Sequence, residues 1–89
     1  MRAILAMATI NFTVQGLIGY GAGGGAAVRD EVVSALDRHG LRGARFDPGL
    51  EVFSVELDPA VHSFSDVRRV IEDLGKRKGL VYLAVVMSP

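Results

Sequence analysis

Two hydrophobic periodicities alternate along the chain, and their order constrains the fold more than any other feature. A period of two is typical of a strand with one buried face, and a period near 3.6 residues is typical of an amphipathic helix. Ile10, Phe12 and Val14 alternate with polar residues, which predicts a strand. Apolar side chains recur at i, i+3, i+4 and i+7 from Val67, which predicts a helix. The chain is therefore expected to mix strands and helices.

The remaining segments are also delimited by turn and cap residues. The other predicted elements are a helix near residues 26–39, a hairpin over 44–57, the helix near 65–74 capped by Ser63 or Ser65, and a strand over 80–87. We expect Gly40 and Gly75 to end the two helices, because glycine is favoured just after a helix. The hairpin turn is predicted at Asp47-Pro48-Gly49, since proline presets φ and glycine accepts a positive φ.

The order of these elements predicts an α+β fold. The order β-α-β-β-α-β corresponds to the ferredoxin-like arrangement, a four-stranded antiparallel sheet with two helices on one face. Short right-handed connections then place the first and third strands in the centre of the sheet. With 89 residues, of which 49% are hydrophobic, we expect a single domain over residues 1–89.

A glycine-rich loop is the most unusual segment of the chain. Six of the eleven glycines lie in residues 16–25, between the first strand and the first helix. The predicted topology brings this loop to the same end as the hairpin turn and a basic turn after the second helix. We expect a small anion or a partner protein to bind there, since helix N-termini attract anions and absent side chains allow close contact. The candidate ligand-binding residues are Gly19, Tyr20, Gly21, Gly23, Gly24, Gly25, Lys76, Arg77 and Lys78.

Composition argues against several classes of function. The chain has no cysteine and a net charge of +0, which excludes thiolate metal sites and gives no general attraction to nucleic acid. The open face of the predicted sheet offers no aromatic platform for RNA bases; its candidates are Asn11, Thr13, Gln15, Val52, Ser54 and Glu56. We expect no cofactor, no metal, no nucleic-acid or membrane partner and a cytoplasmic location. The sequence leaves open whether the chain forms a homo-oligomer.

Three motifs stand out within residues 40–75: Gly40-Leu41, Val55-Glu56-Leu57-Asp58-Pro59-Ala60 and Val70-Ile71-Glu72-Asp73-Leu74-Gly75. They resemble the heavy-metal-associated domain of copper chaperones and metal-pumping ATPases. The family's Cys-x-x-Cys, which holds a soft cation, is replaced by a segment with Ala22 and Gly25 at the cysteine positions. The resemblance therefore implies the fold of this family without its metal transfer.

Two alternatives remain beside a non-catalytic binding module. Val14-Gln15-Gly16 and Gly40-Leu41-Arg42-Gly43 resemble segments of acylphosphatases, but Leu17-Ile18-Gly19-Tyr20 stands where the phosphate-binding arginine would be. A metal-binding or metal-transport accessory role would need ligands other than cysteine. The available ones are Met1, Met7, Met87, His39 and His62.

Overall fold

The computed structural model describes residues 8–16 and 25–87. Its elements are β1 (Ala8–Gln15), α1 (Ala26–Arg38), β2 (Arg45–Asp47), β3 (Val52–Leu57), α2 (Phe64–Arg77) and β4 (Leu83–Val86). The predicted succession of strands and helices is confirmed. Neither helix of these described residues is long and apolar enough to cross a bilayer.

The four strands form one antiparallel sheet in the order β2-β3-β1-β4. The first and third strands are central, as predicted. Phe12 lies opposite Phe53 on β3, and Val14 lies opposite Ala84 on β4. Because partners across an antiparallel pair point to the same face, these residues share one face of the sheet. Residues one position along, such as Asn11 and Ser54, point to the other face.

Both helices pack on the first of these faces and close the core. Phe12 stacks on Phe53 with ring centroids 5.6 Å apart. Val32 of α1 and Ile71 of α2 are fully buried in the same cluster. The period-two pattern of β1 and the 3.6-residue pattern of α2 therefore meet in a single apolar layer, as the sequence predicts. The opposite face of the sheet is uncovered by either helix, and we call it the open face.

The predicted end of α1 at Gly40 is confirmed. Gly40 has a φ of 78°, in the left-handed region that favours glycine. The N–H of Leu41 donates to the carbonyl of Leu36 at 3.0 Å, and the N–H of Gly40 donates to Asp37 at 3.0 Å. This pair of bonds satisfies carbonyls that the last helical turn leaves free.

The predicted end of α2 at Gly75 is wrong, because the helix continues to Arg77. Its stop is Gly79, which has a φ of 72° and donates its N–H to Lys76. Gly75 instead lies against Tyr82, where a Cβ would come within 2.9 Å of the tyrosine ring. The lack of a side chain at Gly75 thus serves packing. Because the helix continues past it, Lys76 and Arg77, two of the predicted basic-turn residues, belong to the last helical turn.

The hairpin turn also differs from its prediction. Gly49 does not carry the positive φ; the left-handed residue is Glu51, at 57°. The carboxylate of Asp47 accepts the N–H of Gly49 at 2.8 Å and that of Leu50 at 3.2 Å. The N–H of Glu51 donates to the Asp47 carbonyl at 2.7 Å. The aspartate thus closes a longer turn, and its last residue takes the left-handed conformation.

The last strand is shorter than predicted, four residues in place of residues 80–87. Leu80 donates its N–H to Gly75 at 2.9 Å, as part of the α2 terminus. Next to it, the Val81 carbonyl lies where a side chain at Gly16 would overlap it. Residues 80–82 are therefore held by the end of α2 and by the start of the glycine-rich loop, and regular pairing begins only at Leu83.

Candidate functional site

Most of the predicted glycine-loop residues cannot be placed. Gly19, Tyr20, Gly21, Gly23 and Gly24 lie outside the described residues. Gly25, Lys76, Arg77 and Lys78 are described, and they lie at the ends of α1 and α2. The antiparallel pairing places the start of α1, the end of α2 and the hairpin turn at one end of the molecule, as predicted.

Gly25 is the N-cap of α1 and leaves its first turn without a side-chain cap. It has an extended conformation (φ −75°, ψ 164°), and its carbonyl accepts the N–H of Arg29 at 2.9 Å. The first turn contains no acidic residue. Arg29 lies over the Phe46 ring at 4.6 Å, and its buried Nε has no hydrogen-bond partner in the described part of the chain. Among the described residues, no acidic side chain in the first turn of α1 offsets the positive end of its dipole.

Lys78 is not a free cation at this end. Its Nζ pairs with the carboxylate of Glu31, which joins the terminus of α2 to α1. The hydrogen bond to Glu31 raises the pKa of Lys78 above its usual range. Lys76 and Arg77 are exposed in the last turn of α2, where their charges favour the helix dipole. Of the three predicted basic residues, Lys78 is therefore engaged in an ion pair between the two helices.

A second candidate surface lies on β4 and the segment before it. Leu83 and Val85 occupy alternate positions of β4 on the open face, and Met87 continues this alternation opposite Asn11. The exposed Val81 precedes β4, outside its regular pairing. We call these four residues the apolar stripe. Val81 is 86% exposed, Leu83 40% and Met87 45%. β4 is also an edge strand, with β1 on one side and no strand of the described residues on the other. The stripe thus combines exposed apolar side chains with a strand edge that no described strand covers.

A depression lies near each end of β4. One of about 300 Å³ lies between α2 and the start of β4, and it is lined by Tyr82 and Leu83 and, on its helix side, by Glu72 and Lys76. Another of about 440 Å³ lies at the opposite end of the strand and is bordered by Met87. Its other lining residues are Thr9, Ile10, Asn11, Leu50, Val52 and Val86. The surface around these two depressions is therefore mainly apolar, as the centres of protein contact surfaces often are.

Sequence reasoning missed this surface, although a signal was present. Residues 80–87 are apolar at nearly every position, whereas an edge strand with one open face normally alternates. In an edge strand of the predicted sheet, such an unbroken run places apolar side chains on the open face. The run by itself indicates a strand in preference to a helix, which is the prediction made above for residues 80–87, and it does not show which side chains stay exposed.

The two histidines, which are far apart in sequence, border one depression at the other end of the molecule. His39 and His62 line it together with Asp66 and Asp73. His39 Nδ1 lies 2.8 Å from the carbonyl of Ala35, and His62 Nδ1 lies 3.2 Å from Asp66 Oδ2. Each imidazole thus has a local partner, and the described residues contain no group of three side chains suited to hold a metal ion.

Asp66, the acidic residue of this depression, has a structural explanation. Its Oδ2 accepts the backbone N–H of Ser63 at 3.0 Å, at the N-terminus of α2. This bond, followed by the one with His62, lowers the pKa of Asp66. The shift belongs to a helix cap, because the carboxylate satisfies a backbone donor that the helix leaves free.

Comparison with known proteins adds nothing to this geometry. No family model, no curated protein and no solved structure matches the chain. The choice between the end that carries Gly25 and the apolar stripe therefore depends on the residues themselves.

Proposed function

We propose that this chain is a small non-catalytic binding module that contacts another protein through the apolar stripe. The observation that carries the proposal is the exposure of Val81, Leu83 and Met87 beside the outer edge of β4, where the described residues place no strand. Apolar side chains in a row on an open sheet face are stabilised when a partner removes them from water. The free edge supplies backbone donors and acceptors that fix the position of such a partner.

The charged groups of the described residues give a catalytic role no support. Active sites usually contain titratable groups whose pKa is shifted by burial or by a close charge. In the described residues the resolved shifts fall on Asp66 and Lys78. The first caps α2, and the second joins α2 to α1. Both shifts are thus explained by the stability of the helices.

Photo-cross-linking from the stripe tests this function. A photoreactive amino acid is placed at Leu83 on the stripe and, as a matched control, at Ser34 on the exposed side of α1. Irradiation in the cells that produce the protein should give a discrete cross-linked protein from position 83 and none of it from position 34. Identical products from both positions would contradict the proposal.

The fold family is also a proposal at its finer level. The ferredoxin-like assignment is supported by the order of the elements and by the central position of β1 and β3. The relation to the heavy-metal-associated domain is supported by the residue matches in 40–75, several of which are core residues here. It is proposed for the fold alone, because alanine and glycine at the cysteine positions bind no metal through a side chain.

A small anion at the N-terminus of α1 is the second candidate. It is supported by Gly25, which offers no side-chain cap, and by the Nε of Arg29, which has no hydrogen-bond partner within residues 8–16 and 25–87. Titration with inorganic phosphate should shift the amide resonances of residues 26–28, and Arg29→Met should weaken the effect severalfold. Arg38→Met at the other end of α1 is the control. Equal responses of both variants would contradict a site at this helix end.

A further inference from the structure

We propose that the partner of the apolar stripe is a second copy of this chain. Two β4 strands would pair antiparallel about a twofold axis that passes close to Ala84, and the two sheets would continue into one of eight strands. The inference rests on the proposed function, because it names the protein that the stripe contacts. Three properties of the β4 surface support it: the direction of its N–H groups, the symmetry of the stripe and the charges beside it.

The backbone of β4 offers its outer edge for such pairing. The N–H of Met87 donates to the Asn11 carbonyl at 2.9 Å, toward β1. Successive N–H groups of a strand point to opposite sides, so those of Leu83 and Val85 also face β1. The N–H groups of Ala84 and Val86 face outward, where the described residues provide no strand. An antiparallel partner centred on Ala84 satisfies both groups.

The stripe is symmetric about the same residue. Its four members are residues 81, 83, 85 and 87, so Ala84 is their midpoint. In an antiparallel pair centred there, Leu83 lies opposite the partner's Val85, and Val81 lies opposite the partner's Met87. Directly opposed side chains on one face of such a pair stand about 4.5–5.5 Å apart between Cβ atoms, which is contact distance for these residues. A single register therefore brings every residue of the stripe beside a stripe residue of the second copy.

In this register, the charges beside β4 on one protomer are complementary to the same charges on its partner. Arg68 and Glu72 are one turn apart on α2, on the flank that Gly75 turns toward Tyr82. Their midpoint lies about 7.5 Å along the helix from Gly75, at about 1.5 Å per residue. Ala84 lies about 6.6 Å along the strand from Tyr82, at about 3.3 Å per residue. Because Gly75 lies against Tyr82, these two distances put the axis at Ala84 at nearly the same height as the midpoint between Arg68 and Glu72.

A twofold axis at this level places each glutamate against the opposite charge. Arg68 of one protomer faces the partner's Glu72, and the same pair recurs on the other side of the axis. The helices are brought side by side because α2 lies over the sheet next to β4. The net charge of +0 adds no general repulsion between two copies. Charge complementarity therefore favours a second copy over an unrelated partner.

Sedimentation velocity of the full chain across a wide concentration range is the first test. The wild type should associate to a dimer, and Leu83→Lys should weaken association at least about tenfold, because it places a charge in an apolar contact. Val61→Lys is the matched control: Val61 is also apolar and 66% exposed, but it lies in the loop before α2. It should leave association unchanged. Equal effects of the two lysines would overturn the interface.

A charge exchange gives the second test. Its result does not depend on the stability of the variants, because the same two variants are compared alone and mixed. Arg68→Glu and Glu72→Arg should each weaken self-association, since each variant opposes like charges across the axis. An equimolar mixture of the two variants should associate again, because every contact then joins opposite charges. Failure of the mixture to associate, with both variants folded by circular dichroism, would overturn the register.

The outcomes separate this inference from the function on which it rests. A wild type that stays monomeric at every concentration overturns the second copy as partner. A cross-link from position 83 to a different protein would then still support a binding module. If position 83 gives no specific cross-link and the chain is monomeric, both the inference and the proposed function fail.

Discussion

Gly75 illustrates how one missing side chain decides the packing of a helix on a strand. It lies inside α2, where glycine weakens a helix by roughly 0.5–1 kcal/mol relative to alanine. A Cβ at this position would stand 2.9 Å from Tyr82 Cγ, 3.0 Å from Tyr82 N and 3.1 Å from the Leu80 carbonyl oxygen. Two of these three neighbours are backbone atoms, which cannot move aside without shifting the chain.

Gly75→Ala should therefore destabilise the protein by about 1–3 kcal/mol, the usual cost of overpacking. Urea unfolding followed by circular dichroism measures the change. Ser65→Ala, an exposed substitution in the same helix, should stay within about 0.5 kcal/mol of the wild type. An increase in stability from Gly75→Ala would show that helix propensity outweighs the contact with Tyr82.

Asp66 makes stability depend on acid pH. Its pKa is lowered in the folded state, first by the Ser63 N–H and then by His62. A lowered pKa gives stability that is present above the ordinary aspartate value of about 3.9 and is lost as pH falls through the folded value. Asp66→Asn should therefore have a lower free energy of unfolding than the wild type near neutral pH, and this difference should disappear in acid. A constant difference from wild type across that range would contradict the account.

At the scale of elements, the hairpin between β2 and β3 contains a left-handed residue that is not glycine. Glu51 has a φ of 57°, a conformation that costs a residue with a Cβ roughly 1–2 kcal/mol. Glycine adopts it freely but loses more entropy on folding. The net gain from glycine at this position is expected to be smaller than the strain alone.

Glu51→Gly should stabilise the protein by up to about 1 kcal/mol. Glu51→Ala is the matched control, because it removes the same carboxylate and keeps the Cβ. Thermal unfolding of both variants measures the difference. If alanine stabilises as much as glycine, the effect comes from the charge and the backbone conformation is not its cause.

The elements differ in how well the sequence predicts them. β1 and α2 are predicted because one face of each is apolar at the correct period, and the position of Gly40 predicts the end of α1. The end of α2 is mispredicted because Gly75 and Gly79 look alike in sequence, and only the contact with Tyr82 separates them. The hairpin is mispredicted because the Asp47 carboxylate builds a longer turn than the proline and glycine suggest.

At the scale of the whole molecule, the sequence predicts which elements meet but not which surface stays open. Exposure of the apolar stripe follows from the edge position of β4 and from helices on the other face. The apolar run from Leu80 to Met87 carries no periodicity that would reveal it. Of the predicted glycine-loop site, Gly25 lies at the N-terminus of α1 and Lys78 is paired with Glu31.

The pairing of β4 with a second strand is tested most directly by hydrogen exchange of its own amides. The N–H groups of Leu83 and Val85 bond to β1 and should exchange slowly in every state. Those of Ala84 and Val86 face outward and should exchange fast in dilute solution. At high concentration we predict protection of Ala84 and Val86 comparable to that of their neighbours, and its loss in Leu83→Lys. Fast exchange of both amides at every concentration would contradict a strand on the outer edge of β4.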